Sequence, residues 1–234
     1  MGKAIGKILS KKGVRVFAVD LDKKDLSGIK KSDFIILSVK PQDAPEAIKQ
    51  LKKYGINKKT ILLSIMAGFS LKKLLKLSGH KKIIRMMPNL GLSVGAGIAA
   101  WKKTGLPGME SKKAKKFIDQ ITENFEVKDE DAINKVTALS GSGPAYFFLL
   151  ANSLMQAAKD LGFSEIQSRK LVEQTFSASA ILGKDSEYSA LINRIASRGG
   201  TTEAALKVFK KKNFDKIVKG AVGAAYKRAK ELGK

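Results

Sequence analysis

The sequence has no cysteine and a single histidine, His80, in 234 residues. Without cysteine it holds neither a disulfide nor a thiolate metal site, and one histidine is too few for a typical zinc site or a Ser-His-Asp triad. It also lacks an apolar run of membrane-spanning length and the apolar N-terminal core of a signal peptide. These absences predict a cytoplasmic protein without metal or membrane partners, and the missing thiols fit a reducing compartment.

Arginine is scarce among the basic residues, because only six of the 45 lysines and arginines are arginine. The formal net charge of +24 would by itself suggest a nucleic-acid partner. Proteins that read bases and phosphates specifically depend on the planar arginine fork, however, whereas these lysines are scattered along every predicted helix without interleaved aromatic residues. A solvated lysine coat is therefore the favoured interpretation, and a basic nucleic-acid-binding protein is the less favoured alternative.

The first half of the chain alternates between helical and extended apolar patterns. Near-continuous apolar strands separated by helices are typical of a parallel, doubly wound sheet covered on both faces. We therefore predict an α/β domain with a mostly parallel sheet over residues 1–128. Its helices are predicted over residues 1–12, 44–54, 71–77 and 112–124, and its strands over 14–20, 34–39, 60–66, 83–87 and 97–101.

The second half, residues 129–234, has helical apolar spacing almost throughout. Its apolar faces are rich in alanine, leucine and phenylalanine, which is more apolar helical surface than about a hundred residues would bury alone. We therefore predict an all-helical dimerisation domain that shares this surface with a second chain. The predicted helices are residues 131–139, 144–161, 164–183, 189–196, 202–212 and 215–232.

Two turns rich in glycine and hydroxyl residues interrupt this helical half. In the first, the two glycines predict a tight turn, and Ser142 is predicted to cap a helix that begins near Pro144. This turn could hold an anion or a polar ring; an ordinary helix connection is the alternative. In the second, Thr201 or Thr202 is predicted to cap a helix behind a nest of backbone N–H groups. The turns read Ser140, Gly141, Ser142, Gly143, Pro144 and Ser197, Arg198, Gly199, Gly200, Thr201, Thr202.

In this order the two turns resemble pyrroline-5-carboxylate reductase, whose pattern is Ser-Gly-Ser-Gly-Pro-Ala-Tyr followed some fifty residues later by Ser-Pro-Gly-Gly-Thr-Thr. Segments after three predicted strands are also similar to that family: Ser38-Val39-Lys40-Pro41, Ala67-Gly68 and the run from Arg85 to Asn89. The resemblance implies a Rossmann-like first domain and the reduction of 1-pyrroline-5-carboxylate to L-proline by hydride transfer from NADPH or NADH. It also implies a homodimer or larger homo-oligomer with the substrate pocket near the subunit boundary.

The resemblance assigns roles to particular residues. Thr202 would hydrogen-bond the ring nitrogen as the catalytic residue, and the N–H groups between Ser197 and Thr202 would bind the substrate carboxylate. An acid such as Asp20, at the end of the predicted strand 14–20, can accept hydrogen bonds from ribose hydroxyls and favours NAD over NADP; a capping or turn role is its alternative. The substrate residues are Ser140, Gly141, Ser142, Gly143, Pro144, Ser197, Gly199, Gly200, Thr201 and Thr202, and the cofactor residues are Gly2, Asp20, Ser38, Val39, Lys40, Pro41, Ala67, Gly68 and Asn89.

The sequence departs from the family pattern at three places. The pattern opens with a strand and Gly-x-Gly-x-Met-Gly, of which Met1-Gly2-Lys3-Ala4 matches only the end, so we expect either a true start upstream or a truncated product. Leu90-Gly91 replaces Thr-Pro. Arg198 replaces the proline before Gly-Gly, where it either adds a cation near the substrate carboxylate or disrupts the nest. A degenerate family member with little dinucleotide binding is therefore an alternative to a working reductase.

Overall fold

The structure, a computed structural model, describes residues 1–20 and 28–233. Three short 3₁₀ helices lie at Ile29–Lys31, Pro41–Asp43 and Leu90–Val94. The strands are β1 (Phe34–Leu37), β2 (Ile61–Ser64), β3 (Ile83–Pro88), β4 (Ile98–Thr104) and β5 (Glu123–Glu126). The helices are α1 (Gly2–Lys11), α2 (Ala44–Tyr54), α3 (Leu71–Ser78), α4 (Gly108–Asp119), α5 (Asp131–Val136), α6 (Gly143–Asp160), α7 (Glu165–Gly183), α8 (Tyr188–Ile195), α9 (Thr201–Lys211) and α10 (Phe214–Leu232).

The five strands form one sheet in the order β1-β2-β3-β4-β5. β1, β2 and β3 run parallel, and β5 runs parallel to β4, whereas β4 runs antiparallel to β3. The β3–β4 connection is short and contains only the 3₁₀ helix Leu90–Val94, so the chain reverses there without the crossover that a parallel pair needs. The prediction of a mostly parallel α/β sheet is confirmed.

Helix α2 shows why the sequence pattern located most helices well. Its buried residues Ala44, Ala47, Ile48 and Leu51 have the i, i+3, i+4, i+7 spacing of one helical face. A proline occupies the first turn, where a missing N–H removes no helical bond, and Gly55 follows the last residue with φ of 83°. The predicted bounds, 44–54, coincide with the observed ones.

Both faces of the sheet are buried against helices. Successive residues of a strand point to opposite faces, so Leu62 packs with α2 and α3 while its neighbour Leu63 packs with α1 and α4. Trp101 of β4 is 1% exposed on the second of these faces, and its indole N–H donates to Asn124 Oδ1 at 2.9 Å. The near-continuous apolar strands of the sequence therefore have the two-sided burial they predicted.

Two sequence predictions in this half are wrong. Residues 14–20 form no strand, because they pair with no other strand in the described part of the chain, and an extended apolar segment becomes a strand only through such a ladder. The helix predicted over 112–124 ends at Asp119, and β5 follows it. The sequence of β5, Glu-Asn-Phe-Glu, is largely exposed and has no continuous apolar run, so only its pairing with β4 reveals it.

The chain divides into two compact units. The first contains Met1–Pro144 together with Gly223–Lys234, and the second contains Ala145–Val222. The first unit holds the sheet, and the C-terminal part of α10 returns to it: the hydroxyl of Tyr226 donates to Asp131 Oδ2 at 2.5 Å. The predicted division between residues 128 and 129 stays a prediction about domains.

Helices α6 to α9 leave many large apolar side chains exposed in the single chain. Phe147 and Phe176 stack edge to face with their ring centres 5.8 Å apart, yet Phe147 is still 58% exposed. None of the described helices combines the length and apolar character required to cross a membrane. Other exposed apolar residues in these helices are Phe148, Leu149, Ile166, Ile181, Leu182 and Ile192.

Candidate functional site

The carboxyl ends of β1, β2 and β3 meet at one edge of the sheet, because the three strands are parallel. Three of the predicted cofactor segments follow these ends directly: Ser38–Pro41 after β1, Ala67–Gly68 beyond β2 and Asn89 after β3. In open α/β sheets ligands bind outside this edge. The structure therefore brings these segments to one edge of the first unit.

The N-terminus of α1 lies at the same edge. Gly2, its first residue, approaches Ser38 so closely that a Cβ atom at this position would collide with the serine hydroxyl. The first N–H groups of a helix have no partner within it and attract anions such as phosphate. Glycine at position 2 lets the start of α1 lie against the segment after β1, and the N–H groups of this Gly2–Ser38 cradle fit the phosphates of a dinucleotide.

The segment that follows β1 contains a cation, Lys40. Lys40 is exposed and extended, and the 3₁₀ helix begins at Pro41. A cation at this position can face a phosphate group. Asp20 is exposed, but it ends no strand, since residues 14–20 form none; its prediction as the acid at a strand end is wrong in that respect.

Gly68 is buried and has φ of 71°, a left-handed conformation that favours glycine. It packs against the end of α10, where a Cβ atom on Gly68 would lie 2.5 Å from Leu232 Cβ and 2.7 Å from the Leu232 carbonyl oxygen. The C-terminal turn of α10 thus covers the segment that follows β2. This contact gives the glycine a packing reason besides its predicted role at the cofactor.

Asn89 connects β3 to the first glycine-rich turn. Its Oδ1 accepts from the Ile98 N–H at 3.2 Å, and its Nδ2 donates to Ser140 Oγ at 3.3 Å. A Cβ on Gly141 would lie 3.1 Å from the Met87 methyl group. Two predicted substrate residues, Ser140 and Gly141, therefore lie beside β3, near the predicted cofactor residue Asn89.

The first turn is not the tight turn that its glycines predicted. Thr137–Gly141 forms a π-helical turn in which the Ser142 N–H donates to the Thr137 carbonyl at 2.9 Å. Ser142 has helical dihedrals (φ −84°, ψ −20°) rather than the extended ones of an N-cap, so its predicted capping role is wrong. Pro144 does lie in the first turn of α6, and π turns are frequent at functional sites.

The second turn lies in the second compact unit. Gly200 is the N-cap of α9, and Thr201 and Thr202 are its first two residues, so the prediction that a threonine caps this helix is wrong. Gly199 has φ of 72°, and its N–H donates to the carboxylate of Glu203 at 2.7 Å. The Gly200 N–H donates to the Ser197 carbonyl at 3.0 Å. Two N–H groups of the predicted nest are thus engaged within the turn.

Glu203 and Arg198 differ in how they relate to this turn. Glu203 uses one oxygen for Gly199 and the other for Lys207 Nζ, at 3.2 Å, so its carboxylate holds the turn from inside. Arg198 is exposed. The role of Glu203 was missed from the sequence, although a Glu at the third helical position commonly reaches back to an N–H before the helix.

A buried ion pair at β3 was also missed. Arg85 is 3% exposed, and its guanidinium donates to Glu130 Oε1 and to Asn134 Oδ1, both at 2.8 Å. Its partners lie 45 and 49 residues further along the chain, so no local pattern announces them. His80, the single histidine of the sequence, is half-buried, and its Nε2 lies 2.6 Å from the Thr60 carbonyl oxygen.

Two titratable groups with shifted pKa values, Asp131 and Tyr226, meet at the contact between α5 and α10. The hydrogen bond from Tyr226 is the main cause that lowers the pKa of Asp131 below its ordinary value of 3.8, with smaller contributions from Asn134 and Lys135. The same hydrogen bond raises the pKa of Tyr226 above 10.0. Among the described residues, no group of three or more histidine, cysteine or acidic side chains could hold a metal ion.

Replacing Tyr226 by phenylalanine tests this contact through pH. A lowered Asp131 pKa stabilises the fold above the ordinary value and loses that effect as pH falls through the folded pKa, whereas a raised Tyr226 pKa loses its effect as pH rises through the folded pKa. The loss of unfolding free energy in Tyr226→Phe is therefore expected to be constant between about pH 5 and 9 and to shrink outside that window. Urea titrations measure it, and Tyr188→Phe, which alters a largely exposed ring, is the control. A loss that does not vary with pH would contradict the contact.

Two family models match the chain. One, described as pyrroline-5-carboxylate reductase dimerisation, matches residues 130–232, and the other, described as NADP oxidoreductase coenzyme F420-dependent, matches residues 3–68. Among curated proteins, the chain is 35% identical to the pyrroline-5-carboxylate reductase of Aquifex aeolicus over 86% of this chain and 76% of that protein. It is 32% identical to the one of Pseudomonas aeruginosa over 92% of this chain and 80% of that protein.

Solved structures show the same similarity. The pyrroline carboxylate reductase of Plasmodium falciparum, determined with NADP bound, superposes with a TM-score of 0.87 at 28% identity, covering 100% of this chain and 95% of that one. The pyrroline-5-carboxylate reductase of Coxiella burnetii superposes with a TM-score of 0.81 at 31% identity, covering 97% of this chain and 83% of that one.

Proposed function

This chain belongs to the pyrroline-5-carboxylate reductase family, and we propose that it reduces 1-pyrroline-5-carboxylate to L-proline with the residues described above. It is an NAD(P)H-dependent oxidoreductase with a Rossmann-like sheet followed by a helical dimerisation domain. The observation that carries the proposal is the 32% identity with the Pseudomonas aeruginosa reductase across 92% of the chain. The Gly2–Ser38 cradle supports it independently.

The cofactor would bind at the sheet edge of the first unit. The N–H groups at the start of α1, beside Gly2, and the cation of Lys40 would hold the phosphates of the cofactor. The remaining residues assigned to it are Asp20, Ser38, Val39, Pro41, Ala67, Gly68 and Asn89. When bound, NAD(P)H supplies the hydride.

The substrate is a small cyclic imine that bears a carboxylate. We assign its carboxylate to the N–H groups that begin α9, those of Thr201 and Thr202, since the N–H groups of Gly199 and Gly200 already have partners in the turn. Ser197, Gly199 and Gly200 shape that turn. The other residues that we assign to substrate binding lie in the first unit, beside Asn89: Ser140, Gly141, Ser142, Gly143 and Pro144.

Thr202 is the residue we assign to the reacting bond. The N–H of the protonated imine would donate to Thr202 Oγ1, which orients the C=N carbon for hydride addition. A protonated imine already accepts a hydride at carbon, so orientation supplies most of what the protein must add. This account needs no histidine and no carboxylate pair.

The proposal includes a homodimer formed through the helical domain. The dimerisation family model covers residues 130–232, and α6 and α7 leave Phe147, Phe148 and Ile166 largely exposed in the single chain. Apolar surface of this kind is ordinarily buried against a partner. Sedimentation that shows only the 25.4 kDa monomer would contradict it. The cytoplasmic location expected from the sequence is part of the proposal, and cell fractionation tests it.

The decisive experiment measures the oxidation of NADH and of NADPH by the purified chain, with and without 1-pyrroline-5-carboxylate. We expect oxidation that depends on the imine and yields L-proline in equal amount. Binding of neither cofactor would indicate a degenerate member of the family. Retention on DNA that falls steeply with salt, without cofactor binding, would instead favour the nucleic-acid alternative.

A further inference from the structure

Arg85 is a charged side chain in the middle of the buried sheet. It lies in β3 and is 3% exposed, and its Nε has no hydrogen-bond partner among the residues that the structure describes. Burying a guanidinium is costly unless partners compensate for lost water. Arg85 has two, the carboxylate of Glu130 and the amide oxygen of Asn134. Because burial of the Arg85 guanidinium is costly, we infer that this residue has a role besides packing.

Both partners are on the same face of one helix. Glu130 immediately precedes α5, and Asn134 lies four residues later, which is about one helical turn. Glu130 Oε1 also accepts the Leu71 N–H at 2.7 Å, at the start of α3. The fork of Arg85 therefore fixes both the position of α5 along β3 and its rotation about the helix axis.

The same helix is attached to β3 a second time. α5 continues without a break into the π turn Thr137–Gly141, where Ser140 accepts from Asn89 Nδ2. Arg85 and Asn89 are about 13 Å apart along an extended strand. From the middle of the Glu130–Asn134 pair to Ser140 is about 12 Å along a helix. The two spacings match, so β3 holds α5 at both ends.

The matching attachments bear on the register of the π turn. A π turn has one more residue per hydrogen-bonded ring than an α-helix and rarely persists without a reason. If α5 slid or rotated by one residue, Ser140 would leave Asn89 and the turn could relax to α-helical bonding. Arg85 opposes that movement, because its two N–H groups contact side chains one turn apart.

We propose that Arg85 is a positioning residue that holds Ser140 and Gly141 in place through α5. The inference rests on the proposed function in one respect, namely that these two residues contact the substrate. Arg85 itself touches neither substrate nor cofactor in this account. Loss of the Arg85 contacts is therefore expected to loosen the π turn and to raise KM for the imine, while KM for NAD(P)H stays nearly unchanged.

Two variants test the proposal at different severity. Arg85→Lys keeps the charge but loses the fork, and Asn134→Ala removes one of the two contacts while leaving the ion pair with Glu130. In both we expect amides 138–142 to exchange with deuterium about tenfold faster, while the amides of β2 and β3 keep their rates. KM for the imine should rise about tenfold, and KM for NAD(P)H should change less than about twofold.

Arg169→Lys is the matched control, because Arg169 is exposed on α7 and forms an ion pair with Glu173 one turn away. It should alter neither exchange nor kinetics. Uniformly faster exchange across the first unit, with both KM values unchanged, would show that Arg85 is only structural and overturn the proposal. If the wild-type chain proves not to reduce the imine, the proposed function fails, while the exchange of amides 138–142 still decides whether Arg85 holds the turn.

Discussion

Replacing Thr202 by valine is expected to lower kcat/KM for the imine by about a hundredfold. Valine has nearly the same shape, so the half-buried start of α9 should keep its packing and its backbone N–H groups. What is lost is the hydroxyl oxygen that accepts from the protonated imine, and an N–H left without a partner in a site is strongly disfavoured. Steady-state kinetics with varied imine and saturating NAD(P)H measure the effect.

Two further variants separate the hydroxyl from the fold. Thr202→Ser keeps the oxygen and should retain activity within about fivefold of wild type. Thr175→Val makes the same chemical change at an exposed position of α7 and should leave the kinetics unchanged. An active Thr202→Val enzyme, with kcat/KM within about threefold of wild type, would remove Thr202 from the reaction.

The sequence predicts the elements whose stability is local. α2 has its apolar face, its N-terminal proline and its terminal glycine in the sequence itself, and its bounds were obtained to the residue. Near-continuous apolar runs such as Phe34–Leu37 and Ile61–Ser64 occur because helices cover both faces of the sheet. Local pattern and tertiary burial agree in these elements, which is why the mostly parallel sheet could be predicted.

The sequence fails where a partner distant in the chain decides the structure. Residues 14–20 have the composition of a strand but pair with no described strand, whereas the polar β5 becomes a strand by pairing with β4. Ser140 in the π turn accepts a hydrogen bond from Asn89, some fifty residues earlier, whereas the glycines of the turn alone favoured a tight turn. Pairing of this kind is not encoded in local spacing.

The candidate site shows the same contrast. The strand-end segments Ser38–Pro41, Ala67–Gly68 and Asn89 could be placed at one edge from topology alone, since parallel strands end together. The contact of the Glu203 carboxylate with the Gly199 N–H was missed because the Gly-Gly-Thr-Thr pattern suggested an open nest, although a Glu at the third helical position signals such a contact. The contact of Leu232 with Gly68 joins residues more than 160 positions apart.

Replacing Gly68 by alanine should destabilise the chain by about 3 kcal/mol. The left-handed backbone at φ of 71° accounts for about 1 kcal/mol. The added Cβ, 2.5 to 2.7 Å from atoms of Leu232, accounts for about 2 kcal/mol, because backbone as well as side chain must move. Denaturant titration measures both contributions as one free energy of unfolding.

Gly79→Ala isolates the backbone contribution. Gly79 has nearly the same dihedral, φ of 67°, and no atom of residues 1–20 or 28–233 lies within 4 Å of its ideal Cβ position, so alanine there should cost only about 1 kcal/mol. In a chain that ends at Glu231 the collision at Gly68 is gone, and Gly68→Ala should then cost no more than Gly79→Ala.

Equal losses for the two variants in the full chain would mean that α10 does not pack on this turn. The reason for a glycine at position 68 would then be either its backbone conformation or contact with the cofactor. A raised KM for NAD(P)H in Gly68→Ala would identify the cofactor as the reason.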